Sequence, residues 1–318
     1  MRPIIETINS IIGGQSGSPQ YQELIKKAYQ DPEVQSFLRE HRAELSDEQI
    51  KRGGSKLYEF YHEKMLLQNH QTSIAPGYTP QLVVSAGRID VVYVPTAQLK
   101  AQQQAAELRQ RVTTVRMPKF IRQADFKHVI RDNDDRVNAL QAAMSFVGSY
   151  QPGQFQPGMY LSGNFGVGKT YLLGATANAL AERGIISTMV HFPSFAVEMK
   201  GAIKDGTVDE RRDAIKKAPI LMLDDIGADS MSAWVRDDVL GVILEYRMQE
   251  ELPTFFSSNF TMQQLEDQHL AIDAQGAREP LKAKRIMQRI RFLSREYYIE
   301  GENMRAGNLS LIHISEPT

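Results

Sequence analysis

Cysteine is absent from the 318 residues. That excludes disulfides and thiolate metal sites, and it fits a reducing compartment. No apolar run approaches the roughly 18 residues of a membrane span, and the first residues lack a signal-peptide core. An excess of charge of one sign is missing too. The chain has 37 Lys and Arg against 38 Asp and Glu, a formal net charge of −1, so any nucleic-acid contact must come from local clusters. These absences point to a cytoplasmic protein without membrane contact. What is present is enough apolar residue, 42%, for a buried core, and a length better suited to two domains than to one.

Residues Gly163-Asn164-Phe165-Gly166-Val167-Gly168-Lys169-Thr170 fit G-x-x-x-x-G-K-[ST], the phosphate-binding P-loop. The apolar stretch Met159–Ser162 before it reads as a buried strand, and Tyr171–Leu180 after it as a helix. In that context Gly166 and Gly168 let backbone N–H groups curl around phosphates at a helix N-terminus. Lys169 is placed to reach the β- and γ-phosphates, and the Thr170 hydroxyl to hold Mg²⁺. The cofactors expected are therefore ATP and Mg²⁺.

Upstream, Met1 to about Ile12 has helical spacing and is broken by Gly13–Pro19. Helices are predicted near Tyr21–Ala28, Pro32–Arg39, from Ser46, and over Ser55–Met65, followed by a hairpin of Gln81–Val84 and Ile89–Val94. This is a small α+β domain, residues 1–95, with no catalytic constellation. Residues 96–116 read as a solvated helical linker. The basic residues Lys100, Arg109, Arg111, Arg116, Lys119, Arg122, Lys127 and Arg131 are either a solvated face or a contact for nucleic acid.

From residue 117 to 308 strands alternate with helices, the pattern of a parallel α/β sheet with its ligand at the strands' carboxyl ends. Strands are predicted at Thr188–Phe192, Pro219–Asp225, Pro253–Asn259 and Tyr297–Ile299. The stretch Ile220–Asp225 delivers paired carboxylates: Asp224 to hold Mg²⁺, Asp225 to orient the attacking water. Asn259, at the end of the next strand, is placed to sense the γ-phosphate. Lys282, Lys284, Arg285, Arg289, Arg291 and Arg295 crowd one late helix whose apolar set is Ile286, Ile290 and Leu293. Arg285 and Arg289, four apart, share a face and could serve one anion. A solvated basic face or a nucleic-acid contact would give the same pattern.

With GNFGVGKT, LMLDDIGADSMSAWVRDDVLGVILEYR, PTFFSSNF and KRIMQRI in view, the region from about Met117 to Arg305 resembles the AAA+ ATPases, specifically the bacterial replicative-helicase loaders of the DnaC/DnaI type. The resemblance implies Walker A at Gly163–Thr170, Walker B at Asp224 and Asp225, sensor 1 at Asn259, and an arginine finger at Arg285 that acts on a neighbouring subunit. It makes Arg289 a second γ-phosphate candidate. It also implies that the helical pieces between Pro193 and Lys217 form an insertion lining a single-stranded DNA path, with Phe195, Lys200 and Lys204 as candidates, and that no C-terminal helical lid follows. The implied partners are the hexameric replicative helicase, single-stranded DNA and further copies of the ATPase domain. Phe195 packing into the core beside solvated lysines is the competing reading.

Residues 1–95 look like the helicase-binding domain of the DnaI branch. Relatives there carry zinc on cysteines and a histidine around the segment matching His62–Tyr93. Without cysteine, and with only His62 and His70 near it, zinc is not expected. An insertion-sequence transposition helper ATPase, or an adaptor that senses ATP without hydrolysing it, shares the same core motifs. Leu309–Thr318 fits nothing before it and reads as a non-native tail, with the native sequence ending near Asn308; a genuine amphipathic tail is the alternative.

Overall fold

The computed structural model describes residues 19–228, 231–272 and 276–304. The helical spacing of Met1–Ile12 and the tail Leu309–Thr318 lie outside them. The chain divides into two units between Ala105 and Ala106.

In the N-terminal unit four helices precede a hairpin: α1 (Pro19–Gln30), α2 (Pro32–Glu40), α3 (Asp47–Arg52), α4 (Gly54–Gln68), β1 (Tyr78–Ser85) and β2 (Arg88–Pro95). Local chemistry sets the starts. Asp31 caps α2 by accepting from Glu33 N and Val34 N, and Ser46 with Gln49 forms a reciprocal capping box on α3. Ala86 and Gly87, both at positive φ, make the two-residue turn that joins Ser85 to Arg88. Ile25, Tyr29, Leu38, Leu57, Phe60 and Ile89 form its core. The turn between α4 and β1 is tied down by buried Glu63, which accepts from Ser73 Oγ at 2.6 Å and Ile74 N at 3.1 Å.

Helix α5 (Ala97–Arg111) runs into β3 (Val112–Val115). Residues 112–115 were expected in the helical linker. They instead add an edge strand to the sheet, paired in parallel with β5 (Ser187–His191). Short β-branched runs such as VTTV gain from a neighbouring strand what helix propensity does not supply.

The second unit continues with α6 (Asp134–Ser149), β4 (Gly158–Ser162), α7 (Lys169–Glu182), β5, α8 (Phe192–Asp205), α9 (Val208–Lys216) and β6 (Ile220–Asp224). A π-helical stretch, Val235–Gly241, leads into α10 (Val242–Gln249), followed by β7 (Thr254–Ser258). Helix α11 (Met262–Gln264) passes into a second π-helical stretch, Leu265–Leu270, and α12 (Pro280–Leu293) and β8 (Ser294–Tyr298) complete the described fold. The six strands are all parallel, in the order β3-β5-β6-β7-β4-β8.

Both faces of the sheet are covered, so its central strands are apolar on both sides, with successive side chains pointing to opposite faces. Ile220, Met222, Met159, Leu161 and Phe255 pack with α6 and α7. Leu221, Leu223, Tyr160, Val190 and Phe256 pack with α8, α10 and α12. Buried Arg247 of α10 staples one end of the sheet: it donates to the carbonyls of Lys216, Ala218 and Pro253 and to Thr254 Oγ1. The carboxyl ends of β5, β6 and β7 are left to carry His191, Asp224 and Ser257 into the site.

Candidate functional site

The turn after β4 gathers polar groups because three glycines accept positive φ: Gly163 at 145°, Gly166 at 78° and Gly168 at 104°. Gly168 stands at the N-cap of α7, so that helix begins at Lys169 without a side-chain cap and with the positive end of its dipole turned to the loop. A cavity of about 850 Å³ opens there, bounded by the loop, by Asp224, Asp225 and Asn259, and on another side by the apolar Val129 and Ile130.

Lys169 is almost wholly buried and its ammonium donates to Gly163 O at 2.8 Å, Asn164 O at 2.7 Å and Asn259 Oδ1 at 2.9 Å. The Asn259 amide donates in turn to Asp225 Oδ1 at 3.0 Å. Lys169, Asn259 and Asp225, drawn from three separate strand ends, therefore form one hydrogen-bonded chain. Beside it, Thr170 Oγ1 donates to Asp224 Oδ1 at 2.9 Å. Burial pushes the Asp224 carboxyl above its ordinary range, and the Ser257 and Thr170 hydroxyls offset this in part. A buried carboxylate next to a hydroxyl is an all-oxygen donor pair of the kind a hard divalent cation takes together with phosphate oxygens, so these residues fit Mg²⁺. No group of three or more His, Asp or Glu able to hold a metal on protein ligands alone occurs among the described residues.

Two members of the site were not singled out from the sequence. Ser257 Oγ donates to Asp224 Oδ1 at 2.5 Å and accepts from Asp225 N at 2.9 Å, thereby fixing the Asp224 carboxylate and the Asp225 backbone. It lets Asp225 hold its left-handed backbone, φ 62°, a conformation that costs a non-glycine residue energy unless its surroundings enforce it. His191, in register with Asp224 across β5 and β6, sits with Nε2 3.9 Å from Asp225 Oδ2 and Nδ1 2.8 Å from Ser194 Oγ. The run Ser-Ser-Asn at a strand end was the available signal for Ser257. For His191 none existed before the register was known.

Other expected residues fall elsewhere. Phe195 is 2% exposed and packs with Phe192 and Met199 under the sheet, which leaves no ring face for a base. Its place in α8 explains this: Phe192, Phe195, Met199 and Ala202 recur at helical spacing as the buried stripe. Lys200 and Lys204 lie on the opposite, exposed face with Val197. Arg289, expected beside the γ-phosphate, is a clamp between helices. It donates to Gly241 O at 2.9 Å and pairs with Glu245 at 3.1 Å. Arg285 is exposed and does not reach the cavity of its own chain.

Residues 84–310 match the family described as IstB-like ATP binding protein, and residues 1–93 match the family of primosomal protein DnaI N-termini. The replicative helicase loader DnaI of Bacillus subtilis is 34% identical over 310 residues, 96% of this chain and 99% of that one. The chain belongs to the DnaI family of replicative helicase loaders. A crystal structure of a DnaI is 47% identical with a TM-score of 0.55, covering 63% of this chain and 98% of that one. One of a putative primosome component from Streptococcus pyogenes is 43% identical with a TM-score of 0.53 over the same shares. Membership in this family makes the second unit an AAA+ ATP-binding domain. No helix among the described residues is long and apolar enough to cross a membrane.

Proposed function

We propose that this chain is an ATP-driven loader that grips the hexameric replicative helicase through residues 1–95 and delivers it onto single-stranded DNA in the cytoplasm. The observation that carries the reading is the bonded chain Lys169–Asn259–Asp225 beside the Thr170–Asp224 pair. Together they offer a cation for the β- and γ-phosphates, a seat for Mg²⁺ and a carboxylate for water.

In that reading Lys169 turns from the loop carbonyls to the phosphates, and the N–H groups of 166–170 take phosphate oxygens. Bound Mg²⁺ would neutralise charge between the phosphates, with Thr170 and Asp224 as its protein partners. Asp225 accepts a hydrogen bond from the attacking water, and Asn259 holds both that carboxylate and the γ-phosphate end of Lys169. Asp225 stands where many P-loop ATPases carry Glu, and it is one methylene shorter, so hydrolysis is slow and suits a switch. Arg285 serves the γ-phosphate of a neighbouring copy, and Lys200 and Lys204 track DNA phosphates.

Asp225→Asn should cut ATP turnover by about 10²-fold or more while nucleotide affinity stays within about twofold. Turnover by the wild-type chain that stays at the buffer rate, with helicase and single-stranded DNA present, would turn the reading into that of an ATP-sensing adaptor. The IstB-like match favours a transposition helper as second reading, and co-purification with transposase rather than helicase would select it.

A further inference from the structure

Past β8 the backbone turns along the outside of the P-loop. Ile299 N donates to Ser162 O at 2.7 Å, and Met304 N donates to Gly166 O at 3.1 Å. Residues 299–304 thus form a strap beside the whole loop. The fit is close throughout. A Cβ on Gly163 would stand 2.1 Å from Ile299 O, one on Gly166 1.9 Å from Asn303 Oδ1, and one on Gly168 2.9 Å from Met304 Cε. The loop's glycines are therefore crowded by this segment. Ile299 and Met304 also line the nucleotide cavity.

The strap is held by the start of α6. Asn133 Nδ2 donates to Glu300 O at 3.0 Å, and Arg136 Nη2 donates to Glu302 O at 3.4 Å. Arg136 is 4% exposed, and its carboxylate partner is Asp132 at 2.6 Å. Gly301, at φ 140°, lies so near the guanidinium that a Cβ would meet Nη2 at 2.4 Å. Arg136 Nε is buried and has no hydrogen-bond partner among the described residues. A buried guanidinium with one half-exposed counter-charge and an unmatched N–H is a poor device for stability alone, since an apolar residue of similar size would do as well or better.

We infer that Arg136 is a positioning residue for nucleotide binding: it pins the strap 299–304 against the P-loop and so holds the loop in its phosphate-ready form. This rests on the cavity being the ATP site. Because coupling is reciprocal, nucleotide must tighten the strap by the same factor by which the strap tightens nucleotide. A strap that only packs would show neither effect.

Two variants of the full chain test this, Arg136→Gln and Gly301→Ala, the second displacing the strap without altering α6. Nucleotide affinity is read by titration with ATPγS and Mg²⁺, turnover at saturating ATP, and strap order by amide exchange at 301–304. Each variant that folds should bind ATPγS about tenfold more weakly, within the usual span of coupling energies, with little change in saturated turnover. Nucleotide should slow strap exchange in the wild-type chain and not in the variants. Binding within twofold of wild type by either folded variant, or strap exchange that ignores nucleotide in the wild-type chain, would overturn the inference and leave the ATP site intact. Should Arg136→Gln not fold, Gly301→Ala decides alone. Failure of the wild-type chain itself to bind ATPγS would instead remove the nucleotide reading beneath it.

Discussion

In the N-terminal unit Glu63 is committed to Ser73 and Ile74, and Asp31 to the first turn of α2 and to Lys64 at 2.9 Å. In the second unit Lys169, Asn259 and Asp225 form one bonded chain and Asp224 is held by Thr170 and Ser257, all around a cavity. These buried polar groups of the first unit close on the fold, whereas those at the P-loop of the second line a cavity. The difference separates a module whose buried carboxylates serve its own fold from one whose carboxylates stand at a cavity. It also sets where a substitution is felt: in stability for the first, in chemistry for the second.

The largest effect that would sharpen this contrast lies at Arg285. Arg285→Ala should keep nucleotide binding and lose about 10³-fold in hydrolysis, in the range of other arginine fingers. Adding Lys169→Ala protein should restore part of the activity, because a mixed interface pairs an intact cavity with an intact finger. Absence of rescue, with self-association unimpaired, would assign Arg285 to packing or DNA.

A middle-sized effect is expected at Glu63. Glu63→Ala leaves the Ser73 hydroxyl and the Ile74 N–H without their acceptor and should cost the first unit about 1–3 kcal/mol by denaturant melting. Glu63→Gln, which keeps an acceptor oxygen, should cost less, and ATP affinity should be unchanged by either. An altered ATP affinity would break the separation of the two units' roles.

The smallest is at the exposed face of α8. Lys200→Ala with Lys204→Ala should flatten the salt dependence of single-strand binding, by about 0.7 in slope for each DNA phosphate that is no longer neutralised. Anisotropy across a salt series reads this. An unchanged slope would move the DNA path away from α8, toward the basic strip ending at Arg131.

The sequence made the second unit's architecture readable because a P-loop dictates its own backbone, and because apolar strands with polar carboxyl ends announce a doubly covered parallel sheet. Lys169, Thr170, Asp224, Asp225 and Asn259 were legible for that reason, and the structure brings them together. Phe195 was misplaced although its own stripe, Phe192 through Ala202, marked it as buried. An aromatic near lysines suggests stacking only when it lies on their face of the helix. Strand β3 was hidden in a helix-forming stretch, since four residues carry too little pattern to outweigh their neighbours. Ser257, His191 and Arg136 act through register or through partners more than thirty residues away in sequence, such as Glu302 for Arg136. No local window contains that information.

The central claim, that the cavity at the P-loop powers helicase delivery while residues 1–95 only grip, comes down to one comparison. Unwinding of a single-stranded circle carrying an annealed oligonucleotide is measured with the host's replicative helicase, ATP, and either the wild-type chain or Lys169→Ala. Lys169→Ala should lose ATP affinity by about 10²-fold or more, on the order expected when the cation nearest the phosphates is removed. The account predicts that both chains co-elute with the helicase and that only the wild type supports unwinding. Equal unwinding with both chains, or loss of helicase capture by Lys169→Ala, would contradict it.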